Sequence, residues 1–220
     1  MTERRERVPR KQQQRSLKTK KKLLDAALEA FSENGFKGTS TRDIAARAGV
    51  HHPLITYHFR NKEELWRAAA DHVFRDFFAS LRHLQQDMAT ECPKTRVAAM
   101  IKTYVSYAAR YPAIHKVILQ EAGQPSGRLD WLVDNYLKPL SDVAIREIAD
   151  LQDKGVAPPG DPALLFNMIR ASSGGLIALA LELKGSSNID LTDPEMVESL
   201  GDMIIRVFLP GIPAREAAQA

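Results

Sequence analysis

Between Thr39 and Lys62 the chain gathers side chains suited to gripping a polyanion rather than to making or breaking bonds. Three hydroxyls in succession, Thr39, Ser40 and Thr41, stand where a short helix would begin. Hydroxyls beside the free backbone N–H groups of a helix start form a natural phosphate clamp. Arg42 lies one step further in and can reach a phosphate or a guanine edge. A second cluster, His51, His52, Leu54, Thr56, Tyr57 and His58, is left to face a groove or a nucleic-acid backbone. His51 and His52 could suggest a metal, but adjacent residues on a helix do not converge. No metal and no cofactor are expected.

These side chains need two short helices and a tight turn to hold them. Ser40 followed by Asp43 reads as a capping box that starts the first helix near Thr41. Ile44, Ala45 and Ala48 line its inner face, Gly49 takes the left-handed turn position, and Val50 plugs the turn. Ile55 and Phe59, four apart, carry the second helix, about His52 to His58, onto the same core. Pro53 fits that helix's first turn. Upstream, a helix from about Leu17 to Asn34, closed by Gly35, shows one apolar stripe of Leu24, Ala27, Leu28 and Phe31. Lys18, Lys20, Lys21 and Lys22 crowd its first turns against the helix dipole, a local cost that makes sense if they face phosphate.

Charge points the same way. Residues 1–62 hold 15 Lys+Arg against 6 Asp+Glu, a surplus of +9, while residues 63–220 hold 16 against 21, a deficit of −5. A cationic first third on a mildly acidic body suggests a polyanion-binding end, and double-stranded DNA is the expected partner. Residues 1–16, with Arg4, Arg5, Arg7, Arg10, Lys11 and Arg15 and almost no apolar side chains, are expected to form a disordered basic arm.

The block from about Thr19 to Leu65 resembles the DNA-binding domain of the tetracycline-repressor (TetR) family of bacterial transcription regulators. The matching features are Phe31, Gly35, Thr39-Ser40-Thr41, Ile44-Ala45, Gly49-Val50, Tyr57-His58-Phe59, Lys62, Glu63 and Leu65. The resemblance implies an all-α homodimer with a helix-turn-helix domain over 17–64 and a larger ligand-binding and dimerisation domain over 65–220. It also implies a repressor on a palindromic operator, released by a small organic effector, and a phosphate-contacting role for Lys62. The sequence departs from the family at His51 and Pro53, where many members carry Ser and a small or polar residue. It departs again at Thr56, where many carry Tyr; Tyr57 points about 100° away around the helix. Base contacts are therefore not carried over from relatives.

Beyond this block the sequence reads as helices only. One opens at Asn61, with Glu64 completing a second capping box, and runs to about Gln86. Others span about 94–110 and 112–122, then 129–153 with Pro139 kinking it near Lys138. A helix from Pro162 to about Lys184, stopped by Gly185, carries the small run Ala171-Ser172-Ser173-Gly174-Gly175, which suits close approach of another helix. The last runs from about Pro194 to Phe208. These two resemble the family's dimerisation pair, with Ser173, Gly174, Ile177, Leu200, Ile204 and Val207 as interface candidates.

In the family the ligand site lies among the middle helices. Here Trp66, Phe74, Phe78, Met100, Tyr104 and Tyr107 are candidates, and so are His115, Trp131, Tyr136, Phe166 and Arg170. Such a set suits a flat or weakly anionic organic molecule. Catalytic signatures are missing: there is no Gly-rich phosphate loop ending in Lys-Ser/Thr, no Gly-x-Ser-x-Gly elbow and no zinc-spaced cysteine pair. Cys92 is the single cysteine and fits a reducing cytoplasm, and no apolar N-terminal segment suggests export. The apolar stretch Leu164–Leu183 is broken by Asn167, Arg170 and Glu182, so no membrane association is expected. The chain is not expected to be an enzyme. The rivals are a DNA-binding regulator without small-molecule control and a helical enzyme using a central cavity.

Overall fold

The computed structural model describes residues 10–211, and among them there is helix and loop but no strand. Contacts divide the chain after His72 into two compact units, whereas the sequence places the division after residue 64. The reason lies in α4 (Lys62–Asp87). Leu65, Trp66, Ala69 and Ala70 are buried on its first turns, and His72 Nε2 lies 3.6 Å from Asp25 Oδ1 of the first helix.

The first unit holds α1 (Arg10–Gly38), α2 (Thr41–Ala48) and α3 (Pro53–His58). α1 begins at Arg10, so residues 10–16 are helical rather than part of a disordered arm. Gln, Lys and Arg are good helix formers and simply extend the turn that follows. Residues 1–9, the rest of the expected arm, lie outside the described residues. Gly35 breaks α1 with φ 67, as its position predicts. The Ser40–Asp43 capping box is complete, and Gly49 takes φ 64 while Val50 N–H donates to Ala45 O at 3.0 Å. Ile44, Ala45, Ile55 and Phe59 are buried, which puts the two short helices on one core with α1. Arg47 grips Glu33 with both guanidinium nitrogens and pins α2 to α1.

At the start of α4 the Asn61 side chain accepts from Glu64 N–H at 2.8 Å, but the Glu64 carboxylate accepts from Arg60 N–H at 2.9 Å instead of from Asn61. The second unit continues with α5 (Pro93–Arg110), α6 (Pro112–Ala122), α7 (Gly127–Leu132) and α8 (Lys138–Asp153). A π-helical turn, Val133–Leu137, joins α7 to α8. It sits immediately before Pro139, whose missing N–H and bulky ring a wider turn accommodates.

The helix expected from Pro162 to Lys184 is not one rod. α9 (Pro162–Arg170) passes into a second π-helical turn, Ala171–Gly175, then α10 (Leu176–Ala178) and α11 (Ala180–Ser187). The break at Leu179 bends the path by 77°. Gly185 does not stop the helix; Asn188, at φ 55, does, because Asn also tolerates the left-handed cap position. Among the described residues no single helix is long and apolar enough to cross a membrane. α12 (Pro194–Phe208) starts on its Asp193 cap as expected. The core here joins Val97, Ile101 and Val105 of α5 to Ile148 and Leu151 of α8, Ile169 of α9, and Ile204 and Ile205 of α12.

The small residues of the π turn serve this chain's own packing. Ser173 is fully buried and its hydroxyl donates to Ile169 O at 2.7 Å. A Cβ on Gly174 would stand 2.4 Å from His115 Nδ1 and 3.0 Å from the Tyr104 hydroxyl. Ile177 and Ile204 are buried as well. Ser173, Gly174, Ile177 and Ile204 therefore cannot form a face for a second copy, and that expectation is corrected. The helices approaching Gly174 belong to the same protomer. Leu200 is half-buried against the protomer core, and only Val207 of the six expected residues is well exposed, at 64%.

Candidate functional site

α3 has one buried side, Ile55, and Phe59 closes it from below. The opposite side is open: His51, Leu54, Thr56 and Tyr57 are exposed, Tyr57 at 78%. Tyr57 leans its ring edge toward His58, with centroids 5.0 Å apart. Thr56 turns its hydroxyl onto Pro53 O at 2.9 Å. Thr41 Oγ1 lies 3.0 Å from His52 Nε2, which ties the start of α2 to the cap of α3. A neutral His52 with its proton on Nδ1 accepts that hydroxyl proton. Arg42 is exposed beside them.

Lys20 joins this surface from α1. Its ammonium lies 5.8 Å from the Phe59 ring centroid. Burial first, and then the Lys20 charge, holds His58 below the usual histidine range. α3 therefore ends on an imidazole that resists protonation.

Four expected phosphate ligands are otherwise engaged, Thr41 by the His52 contact just described. Thr39 is 3% exposed and its hydroxyl faces Ala30 O at 3.0 Å and Gly35 O at 2.8 Å. Ser40 donates its hydroxyl proton to Asp43 Oδ2 at 2.5 Å and accepts from Asp43 N–H at 3.1 Å. None of the three hydroxyls of the expected clamp is left open: Thr39 and Ser40 close the α1–α2 corner and Thr41 is held on His52. Lys62, expected on phosphate, donates to Phe36 O at 2.8 Å and Thr39 O at 2.9 Å and lies 4.5 Å from the Phe36 ring centroid. Two carbonyls and a ring surround its ammonium, so its role in this structure is to tie the start of α4 to the end of α1.

Replacing Lys62 by Met, which keeps the stem and deletes the charge, is expected to destabilise that corner by about 2 kcal/mol, the scale of charge-assisted hydrogen bonds with some solvent screening. Amide exchange at Thr39–Ile44 should speed up accordingly. Unchanged exchange with a DNA salt dependence weaker by about one phosphate would restore the phosphate role instead.

Sequence reasoning missed Lys37 and Arg60. Both are exposed, and they line one concavity of about 530 Å³ with Thr41, Thr56 and Lys62, which carries no acidic side chain among its described lining residues. Only their charge hinted at them; neither falls on an apolar period. The surface as built is open and cationic. It presents cations and hydrogen-bonding side chains around a protruding short helix, the form that enters a major groove while its flanks hold phosphates.

In the second unit a separate cavity of about 70 Å³ opens among α4, α5, α8 and α9. Of the eleven expected ligand residues, Met100, Tyr104, Phe166 and Arg170 line it. The sequence did not single out Phe77, Leu140, Ala144 and Glu147, which line it too. Phe74, Phe78, Trp131 and Tyr136 stack on one another instead, with Phe74 and Tyr136 centroids at 4.2 Å. Tyr107 donates its hydroxyl to Val73 O, and Trp66 is buried in the first unit. Aromatic rings are core material before they are lining.

His115 stands behind Tyr104, ring centroids 5.8 Å apart, with 7% exposure and no hydrogen-bond partner at Nε2 among the described residues. Burial, aided by the Arg170 charge, pushes it down to about 4 from 6.5. Between those values the unfolded chain binds this proton and the folded chain does not. Stability from this group is therefore full above about pH 6.5 and falls by about 3 kcal/mol as pH drops to 4. Denaturant titrations at pH 7 and pH 4.5 should show the loss, and His115→Gln should shrink it; an equal loss in the variant would exclude His115.

Comparison with known proteins agrees with this geometry. The family model described as "Bacterial regulatory proteins, tetR family" matches residues 23–69. The chain is 30% identical over 198 residues to the HTH-type transcriptional regulator RutR of Escherichia coli strain K12, covering 89% of this chain and 91% of that protein. It is 30% identical over 189 residues to the HTH-type transcriptional repressor Rv3405c of Mycobacterium tuberculosis strain H37Rv, covering 86% and 88%. Among solved structures, the ketosteroid transcriptional regulator KstR2 of Mycobacterium tuberculosis superposes with a TM-score of 0.65 at 22% identity, covering 88% and 94%. FadR of Bacillus subtilis in complex with stearoyl-CoA gives 0.60 at 20%, covering 84% and 97%. At those identities the structural likeness is one of fold.

Proposed function

This chain belongs to the tetR family of bacterial regulatory proteins and is a DNA-binding transcriptional regulator, and from that premise we propose that it acts in the cytoplasm as a homodimeric repressor on a palindromic operator. The observation that carries the pairing is an apolar row facing away from the core. Leu164 and Met168 of α9 lie four apart, as do Met203 and Val207 of α12, and all four are exposed. Leu164, Met168 and Val207 line one concavity of about 400 Å³. Contiguous exposed apolar side chains on two neighbouring helices suit a four-helix contact with a second copy. Two copies would bring two α3 helices to successive major grooves about 34 Å apart. The name of the repressor Rv3405c supports the direction of control.

A small organic effector in the α4–α5–α8–α9 cavity would release the operator by binding better to a form of the dimer with low DNA affinity. The stearoyl-CoA named with FadR supports control by an organic ligand, but one far larger than this cavity admits. Selecting bound duplexes from a random pool tests the reading. An inverted repeat with half-sites one helical turn apart is expected, and a single unrepeated motif would overturn the dimeric operator.

A second reading, regulation of DNA without a small molecule, is favoured by the cavity's size. It holds about 70 Å³, below the ~300 Å³ usual for ligand sites. A metabolite panel that neither raises the melting temperature nor weakens operator binding would select it.

A further inference from the structure

The cavity among α4, α5, α8 and α9 has an asymmetry that goes to the class of its ligand. Its inner end is hydrocarbon: Phe77, Leu81, Met100, Ile101 and Ile148. Two charged side chains reach its wall. Glu147 is matched by Arg96, whose guanidinium lies 3.5 Å from its carboxylate. Arg170 is not matched. Its Nε donates to the neutral Asn167 Oδ1 at 3.2 Å, and among the described residues no carboxylate pairs with it.

Arg170 is half-buried and lies on the partition, with Leu140 and Phe166, between the cavity and an outer concavity of about 330 Å³. There the other cation, Lys138, is already held by Asp142 at 3.0 Å. A half-buried guanidinium against apolar walls without a counter-charge is costly, and an anion at that point would recover the cost as charge-assisted, bidentate hydrogen bonds. Its field is felt by its neighbours: after burial it adds to the lowering of His115, and it opposes the upward push that burial gives Tyr104.

Taking the cavity as the effector site, on which this inference rests, we propose that the ligand is a small monoanionic carboxylate, its acid group on Arg170 and its apolar body in the inner end. At about 70 Å³, roughly half the ~150 Å³ of an apolar cavity that holds benzene, the inner end takes an aliphatic group of about three or four carbons. That is a short chain rather than a ring or a long acyl tail.

Butyrate and pentanoate, each against its neutral amide, test the proposal by calorimetry and thermal shift on the full chain. The acids are expected to bind at least about tenfold more tightly than the amides, the scale of one charge-assisted pair. Arg170→Gln should remove that preference, Arg170→Lys should keep part of it, and Ala144→Leu, which fills the cavity, should abolish binding of acid and amide alike. Amides equal to acids, a preference that survives Arg170→Gln, or no acid binding at millimolar concentration overturns the proposal. Operator binding separates it from the broader reading. Acids that bind through Arg170 without weakening DNA affinity would sink effector control and leave the anion site standing. A neutral compound that releases DNA, is blocked by Ala144→Leu and is indifferent to Arg170 would do the reverse.

Discussion

Met203→Glu combined with Val207→Glu is expected to yield a folded monomer in sedimentation whose affinity for an inverted-repeat operator is at least about a hundredfold weaker. Both side chains are exposed in the single chain, Met203 at 55% and Val207 at 64%, so the change removes nothing from the protomer core. Across a two-fold axis each substitution counts twice. Burying a Met or Val side chain is worth about 1.5–3 kcal/mol, and a carboxylate in its place would have to be desolvated without a partner. The DNA effect follows from linkage alone. A dimer binds its second half-site at the effective concentration set by the first, commonly a gain of about 10²–10⁴ that a monomer lacks. The thermal midpoint of a dilute sample should stay close to that of the parent monomer, and an unaltered dimer would exclude this face as the contact.

Gly174→Ala is expected to behave in the opposite way, lowering the stability of the protomer while leaving its tendency to pair intact. The new Cβ would fall 2.4 Å from His115 Nδ1 and 2.7 Å from its Cε1, closer than any real contact. His115 is buried and its ring meets Tyr104, so relieving the clash means moving packed side chains. Overpacking of this kind costs about 1–3 kcal/mol and sometimes more, and Gly174→Leu should not fold at all. A double-mutant cycle makes the cause visible: in a His115→Ala background the cost of Gly174→Ala should largely vanish. If the penalty persisted there, the clash would not be its origin.

The two predictions contrast because α9–α11 and α12 are apolar on more than one side. Ile204 and Val207 are three apart and equally hydrophobic, yet one is in the core and the other is open to water. Periodicity locates the helix and cannot rank its faces; only the neighbouring helices decide which side they cover. Gly174 has the same lesson. Its smallness signals a close approach in any reading, but the approaching atoms belong to α6, 59 positions back at His115, and nothing local names them. The break at Leu179 and the two π-helical turns are likewise adjustments to packing that propensity does not encode.

What the amino-acid sequence determined by itself is the reading head. Ser40 with Asp43, Gly49, and Ile55 with Phe59 act through hydrogen bonds and contacts that close within a few residues, so cap, turn and inner face are legible in order along the chain. The surplus of cations in the first 62 residues is a sum that needs no geometry. Tertiary structure alone decided the rest: Lys62 reaches carbonyls 26 and 23 positions away, Lys20 meets His58 across the unit, and four of eleven ligand candidates were chosen by the way α4, α5, α8 and α9 close on one another. Contacts between residues distant in the chain depend on how whole faces fit, and a face has no address in the linear order of side chains.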